Sequence, residues 1–543
     1  MRQTILSVVL DVEPQSARRL SGLIEEFKKD QEPPGAAESY SALKQGVPAL
    51  HFMSMSVFES PSYDPIFVIE ANFDGPPGPF WAQMEAAFGV QLRPMLRCCK
   101  RPADGDGLTY DAVTKPFSRY PLAPYLEKRT LRPSVFHQGN RGLDRDRILA
   151  EGELFLATRA ALAQPSPTDP NPYRGITAAE IHRKLRVELL GRFPWLAQPA
   201  PARIFWLERL ADWGQLVVFA FFTLFCLSLP GMALAPMTPA GRYIVGMVIA
   251  VVVLAILLAR RRAVVPGGVV PARPRRLTLP NLSTTTIVAG VLVVVAYLVI
   301  ASVIGVGVAV LMTGLDVDDS LRLSIKVVGL GFLSGVFFMA PVVVLWLRWL
   351  ERRDSSQDAP PVDERLLGEM ARREDWIPQN HMGSVVLVKP GILRTGLFRV
   401  GHRGLGLLLR VLATDGYLGS MRTVHFAHWA FVNNSSRLMF FSNFDHSWES
   451  YLDDFIEKAH MGLTLAWGSD VGFPPTRFLV LDGASQGRKF KAWARHSMAV
   501  SRFWYSAYRD FTVDQIERNA RIACGLRKET MSEQEAAAWA RDL

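Results

Sequence analysis

The sequence predicts an α+β protein interrupted by transmembrane α-helices: two antiparallel-sheet domains that pair as a pseudo-dimer, with about four membrane helices inserted between them. Three observations carry this reading. Apolar residues crowd between about 214 and 347, although the 543-residue chain as a whole is 49% hydrophobic and 21% charged. Short motifs of the first half recur in the second. Each half also alternates strand-like and helix-like periodicity. At roughly 100–200 residues per domain, the length accommodates two soluble units beside a membrane part. The expected division is a first α+β domain over 1–200, a four-helix membrane region over 201–355, a linker over 356–379, and a second α+β domain with C-terminal helices over 380–543.

Four apolar runs approach spanning length: Gly214–Leu234, Tyr243–Ala259, Thr286–Met312 and Lys326–Leu347. About 20 helical residues cross a hydrocarbon core. None of the runs carries an ionisable residue near its middle, where an ion or proton relay needs one. An ion-coupled transporter is therefore disfavoured. Arg260, Arg261, Arg262, Arg273, Arg275 and Arg276 follow the second run, and Arg348, Arg352 and Arg353 follow the fourth. Asp316, Asp318 and Asp319 follow the third. Positive charge marks the cytoplasmic side, so a multi-pass cell (inner) membrane protein with both soluble domains cytoplasmic is expected. Pro230 predicts a kink or an end in the first helix. Gly331 and Gly335 form a GxxxG whose simplest use is close packing within the bundle itself.

The net charge of +10 comes from arginines concentrated beside the apolar runs, which suits anionic lipid headgroups rather than nucleic acid. Cys98, Cys99, Cys226 and Cys524 form no CxxC pair and no disulfide or zinc spacing, which fits a reducing compartment. The start of the chain reads as a strand over Thr4–Val12 and then a polar run, so no cleaved signal is expected.

The duplication rests on three ordered matches. His51-Phe52 and Asn72-Phe73-Asp74 recur as His425-Phe426 and Asn443-Phe444-Asp445, and the segment from Tyr173 to Ile181 parallels that from Tyr508 to Ile516. Each copy reads as strand, helix, strand, strand, helix, strand. In the first these are Thr4–Val12, Gln15–Lys29, Leu50–Phe58, Ile66–Phe73 and Phe80–Phe88, with a fourth strand near Gly89–Arg97. In the second they are Ser384–Val388, Ile392–Leu412, Thr423–Val432, Leu438–Phe444 and Trp448–Leu463, with Arg477–Leu481 as the fourth strand.

This element order and duplication, over roughly 340 residues, resembles the dimeric α+β barrel superfamily, whose members pair two ferredoxin-like units and include dye-decolourising peroxidases. The segment Ala71-Asn72-Phe73-Asp74-Gly75 is similar to the GxxDG motif of those peroxidases, with Ala71 in place of the first glycine. The second copy reads Ser442-Asn443-Phe444-Asp445-His446. The resemblance implies haem as cofactor and Asp74 as a catalytic acid on its distal side.

Strand alternation sorts the candidate site residues, because positions two apart share a face. Ser54 and Ser56 fall on the more polar face of their strand, as does His428 in the second copy. Glu70 and Asn72 share a face of the next strand, with Asn443 at the matching place. A ligand cavity between the sheets would expose Ser54, Ser56, Glu70, Asn72, His428 and Asn443, polar groups among aromatic walls. The plainer reading makes each histidine a hydrogen-bonded structural residue. For Asp74 and Asp445 it is a carboxylate accepting backbone N–H groups at a helix start. Thr177 with Glu180, and Thr512 with Gln515, have capping-box spacing.

Two function classes follow. One is a membrane-anchored barrel that binds a small or lipophilic ligand, haem included, as a peroxidase-like oxidoreductase. The other is a non-catalytic membrane scaffold that docks a soluble protein partner. No P-loop, nucleophile elbow or HExxH sequence supports a nucleotide-driven or hydrolytic reading.

Overall fold

A computed structural model describes residues 3–32, 39–60, 63–164, 172–237, 239–260, 284–354, 364–374, 378–412, 416–418 and 421–543. Arg261, Arg262, Arg273, Arg275 and Arg276 lie outside these, as does much of the expected linker, whose described part holds a helix over Glu364–Glu374. The chain forms two compact units: Met1–Arg209 together with Ser355–Leu543, and Leu210–Asp354. The two α+β segments thus fold as one body.

The first half of that body contributes strands β1 (Gln3–Asp11), β2 (Leu50–Ser60), β3 (Tyr63–Asp74), β4 (Thr130–Leu131) and β5 (Val135–Gln138). The second contributes β6 (Gln379–Leu387), β7 (Val424–Val432), β8 (Arg437–Asp445), a small pair β9 (Thr476–Arg477) and β10 (Leu481–Asp482), then β11 (Met498–Ala499) and β12 (Phe503–Ser506). Two five-stranded antiparallel sheets result, in the orders β12-β2-β3-β1-β4 and β11-β6-β8-β7-β5. In both, the first long strand of the half pairs with the third, and the third with the second.

The outer strands are exchanged. The segment holding β4 and β5 pairs with β1 through Leu131 and Thr130, and then with β7 of the other sheet through Val135–Gln138. The segment holding β11 and β12 pairs with β6 and then with β2. The two segments therefore tie the sheets together through the chain itself, and each sheet ends on both sides in strands of only two to four residues, which leave few backbone groups to template aggregation.

Helices cover the outsides. Leu20, Ile24 and Phe27 of the helix Ala17–Gln31 recur at helical spacing and join Met53, Met55, Trp81 and Phe88 in one core. Phe398, Trp429, Phe455 and Trp467 form the corresponding core of the second half. A third cluster, Phe58, Ile66, Val68, Val385, Ala430, Val432, Met439 and Phe441, fills one end of the space between the sheets. Because both faces are covered, β2 and β7 are buried at nearly every position.

Two expected strands are corrected. Gly89–Arg97 is no strand: the helix Pro77–Leu96 covers it, and Phe88, Leu92, Met95 and Leu96 are buried at helical spacing. Arg477–Leu481 spans the two-residue strands β9 and β10, which pair only with each other. The fourth-strand places are taken by β4 and β11. Strand connectivity also places the helix Arg145–Ala163, rather than Ala178–Leu190, in the position matching Val513–Arg527. Tyr173–Ile181 and Tyr508–Ile516 share a capping box, not a place in the repeat.

The second unit is helical. Three helices are long and apolar enough to cross a membrane: Trp206–Met237, Ile287–Met312 and Val317–Glu351. The helix Ala240–Arg260 also belongs to it, with Ala240–Val253 as a shorter apolar stretch. The first helix runs through Pro230 to Leu234. A π-helical stretch over Gly335–Met339 interrupts the last. Gly331 and Gly335 lie where a Cβ would come within 3.1 Å of Ser228 O and 2.9 Å of Leu227 O, so the GxxxG packs inside its own bundle.

Candidate functional site

Strand register brings the expected site residues together. Ser7, Glu70 and Ser54 lie side by side across β1, β3 and β2, and the matching row of the second sheet is Gly383, Phe441 and His428. The adjacent row pairs Asn72 with Phe52, as Asn443 pairs with Phe426 and His381. The inward phase assigned to Ser54, Glu70, Asn72, His428 and Asn443 is the one observed.

Glu70 is the centre. Its Oε2 accepts from Ser54 Oγ at 2.9 Å and meets His381 Nε2 at 3.1 Å; its Oε1 accepts from Asn72 Nδ2 at 2.7 Å and Asn443 Nδ2 at 3.2 Å. Two of these four partners belong to each sheet. Asn443 Oδ1 in turn accepts from Trp504 Nε1 at 2.8 Å, and His381 Nδ1 meets Ser501 Oγ at 2.6 Å. His428 Nε2 lies 2.8 Å from Ser7 Oγ, again across the sheets. Burial alone would raise the Glu70 carboxyl, but His381 above all, with His428 and Asn72, outweighs it and holds the group at about 2. Burial pushes His428 down to about 4, against the pull of Glu70, which keeps it neutral.

Ser54, Asn72 and Asn443 bind Glu70, and His428 binds Ser7. Ser54, Ser56, Glu70, Asn72 and Asn443 are 0% exposed and His428 1%. A carboxylate offers about four lone-pair sites, and Glu70 has four donors around it. Ser56 Oγ, Asn72 Oδ1 and His428 Nδ1 have no protein partner.

Asp74 sits outside this cluster. His51 occupies a β-bulge on β2, where the register shifts between Leu50 and Phe52, and its Nε2 lies 3.0 Å from Asp74 Oδ2. The same oxygen accepts the backbone N–H of Arg145 at 2.8 Å. Asp74 thus holds the start of the helix Arg145–Ala163, far along the chain, and not the helix that directly follows it. His425, Asp445 and Val513 repeat the arrangement, at 2.8 Å and 2.8 Å. His51 Nδ1 is taken by Tyr508 Oη at 2.8 Å.

Haem does not fit these residues. Glu70 reaches Asn443 and His381, and Ser7 reaches His428, at hydrogen-bond distance across the interior, so these side chains are spent on one another. Both nitrogens of His51, beside the expected distal acid, are engaged. Among the described residues, no group of three or more His, Cys, Asp or Glu is placed to hold a metal ion.

Sequence reasoning missed Ser7, His381, Ser501 and Trp504. His381 precedes the expected strand start at Ser384, and a signal for extending that strand existed. Gln3 and Gln379 stand opposite Asp74 and Asp445, and their Nε2 groups donate to Leu143 O at 2.8 Å and Tyr508 O at 2.9 Å. Trp504 lies on a four-residue strand that no alternation pattern could announce.

Compared with known proteins, the chain matches no family model and no curated sequence.

Proposed function

We propose that this protein is a membrane-anchored platform that docks a soluble protein partner on the outside of a sealed barrel. The observation that carries the reading is the saturation of Glu70 by Ser54, Asn72, Asn443 and His381, because groups that satisfy one another across the interior serve to lock the sheets rather than to receive a ligand. On this reading the halves are two ferredoxin-like units joined as in the dimeric α+β barrels, and the exchanged segments are what make the duplication one rigid support.

The membrane topology belongs to the same proposal. Both ends of the helical unit continue into one α+β body, so the number of crossings is even. Three long spans then require a fourth, and the helix Ala240–Arg260 supplies it. Arg348, Arg352 and Arg353 after the last span favour a cytoplasmic barrel at the cell membrane.

A second reading, a small polar molecule held between the sheets, is favoured by Ser56 Oγ, Asn72 Oδ1 and His428 Nδ1, buried without protein partners. Absorption spectroscopy and native mass spectrometry of the detergent-purified protein separate the two. The platform predicts a colourless protein whose mass is that of its polypeptides alone. A Soret band, or a small-molecule adduct at one per chain, would overturn it.

A further inference from the structure

Three side chains from remote parts of the chain line up where the two sheets meet. Ser501 Oγ lies 2.6 Å from His381 Nδ1, and His381 Nε2 lies 3.1 Å from Glu70 Oε2. Glu70 stands on β3 of one sheet and His381 on β6 of the other, while Ser501 belongs to the connection that crosses between the sheets from β11 to β12. His381 packs against Phe441 and Trp504, with ring centroids 5.8 and 6.4 Å away, so its ring is held in place. Burial works against the charge of Glu70, but His381 keeps it ionised, and an ionised carboxylate only accepts. The neutral imidazole therefore carries its proton on Nε2 and turns the lone pair of Nδ1 to the Ser501 hydroxyl. The side chains of His381 and Glu70 are 2% and 1% exposed, whereas Ser501 is partly exposed.

One half of the fold does without this row. Strand register places Ile5 opposite Asn72 as it places His381 opposite Asn443, and it aligns Thr130–Leu131 with Met498–Ala499. Ile5, Pro133 and Phe441 are thus the counterparts of His381, Ser501 and Glu70, and none of their side chains carries a hydrogen-bonding group. The histidine–aspartate pairs that hold the sheet ends are by contrast present in both halves.

We propose that Ser501 is the nucleophile of an acyl-transfer site, with His381 as its general base and Glu70 as the carboxylate that positions the base. Such chemistry needs a nucleophile and a base within hydrogen-bond reach and a third group that orients the base. The substrate is a carboxylic ester, and the half-buried Trp504 ring beside His381 suits an apolar acyl chain. Ser501 Oγ bonds to the carbonyl carbon as its proton passes to His381 Nδ1. The tetrahedral adduct then breaks its bond to the alkoxide, which takes that proton and leaves as the alcohol. Water, losing a proton to the same nitrogen, cleaves the acyl-serine to a carboxylic acid and restores the hydroxyl. The reacting group is the partly exposed serine, so no substrate enters between the sheets, and the site stands apart from the docking role proposed above.

The test treats the full detergent-purified chain with a fluorophosphonate and, separately, with p-nitrophenyl butyrate. The expected result is one phosphonyl adduct per chain, mapped to Ser501 by peptide mass spectrometry, and ester hydrolysis that Ser501→Ala abolishes. His381→Gln should slow both reactions by about 100-fold or more, the usual share of a general base. Each variant is first checked for a cooperative melt, and Ser501→Ala, a change on a partly exposed connection, decides if His381→Gln does not fold. A folded, unaltered chain that takes no adduct at Ser501 would overturn the proposal. So would hydrolysis that survives Ser501→Ala, or labelling of Ser501 that a folded His381→Gln leaves undiminished, since the serine would then react without its base.

Discussion

His51 Nε2 lies 3.0 Å from Asp74 Oδ2, and His425 Nε2 lies 2.8 Å from Asp445 Oδ1. Each histidine stands in a β-bulge, and each aspartate also accepts the first backbone N–H of a helix from its own half, Arg145 or Val513. The aspartates are therefore clamps that join a sheet end to a remote helix. Replacing Asp445 by Ala orphans a buried imidazole nitrogen and a buried N–H together, at about 1–3 kcal/mol for each unsatisfied group. Asp445→Asn, which keeps an acceptor oxygen, is expected to lose less. Thermal denaturation of the detergent-purified variants measures this, and an unchanged Tm for Asp445→Ala would remove the clamp.

Glu70 and His381 bring together the two sheets, so their contribution should be strongly non-additive. Glu70→Gln turns one acceptor oxygen into an NH2 facing donors from Asn72, Asn443, Ser54 or His381, and His381→Ala removes one of those donors. In a double-mutant cycle the pair is expected to couple by about 0.5–3 kcal/mol. Additive losses would mean that the contact does not tie the sheets.

Much of this is legible in the sequence. The repeated His-Phe and Asn-Phe-Asp motifs locate the bulges and clamps because both copies need the same polar groups at the same strand ends. The alternation of Phe52, Ser54, Ser56 and Phe58 sets which face turns inward. The exchange of β5 and β12 is not legible, since four-residue strands are too short for periodicity and their partners lie hundreds of residues away. An interior read as a cavity leaves out His381 and Trp504, the side chains that complete the network and fill it. Gly89–Arg97 misleads because a helix buried on one side and rich in apolar residues looks, over nine positions, like a strand.

Burial holds His137, His402 and His428 each at about 4, below their ordinary 6.5. Between these values the unfolded chain binds protons that the folded chain refuses. Their contribution is thus intact above pH 6.5 and falls as the pH drops toward 4. Glu70, held at about 2 against an ordinary 4.5, extends the loss below pH 4.5. Each tenfold difference in proton affinity between the folded and unfolded chain corresponds to roughly 1.4 kcal/mol. His428→Gln is expected to flatten the fall in Tm between pH 6.5 and 4.5, and a slope equal to that of the unaltered protein would count against a neutral, buried His428.

Gly139 and Ala507 occupy matching places, each donating its N–H to a bulge histidine's carbonyl, His425 O at 2.7 Å and His51 O at 2.8 Å. A Cβ on Gly139 would stand 2.2 Å from Val424 O, a backbone atom that cannot swing aside. Gly139→Ala should therefore cost about 1–3 kcal/mol by overpacking, although its counterpart is already alanine. Ala507→Gly should cost less, about 0.4–1 kcal/mol, through the added freedom of the unfolded chain. Urea denaturation of the two variants tests the asymmetry, and equal losses would contradict it.

The orientation of the spans is open to direct labelling. On the proposed topology of four crossings, the loops after the first and third spans lie on one face and the arginine-rich loop between the second and third on the other. On that topology the positive-inside rule predicts that Asp316, Asp318 and Asp319 lie on an external face and Arg261, Arg262 and Arg273 on a cytoplasmic one. Cysteines introduced at Thr238 and Asp318, in a chain with Cys226 and Cys524 replaced, should react with a membrane-impermeant maleimide on intact cells. One at Gly267 should react only after permeabilisation; Thr238 and Gly267 themselves lie outside the described residues. A three-span chain gives a different pattern, because Thr238 and Asp318 would then fall on opposite faces and only one would react. The reversed pattern, Gly267 reactive and the other two protected, would put the barrel outside the cell and reject a cytoplasmic partner.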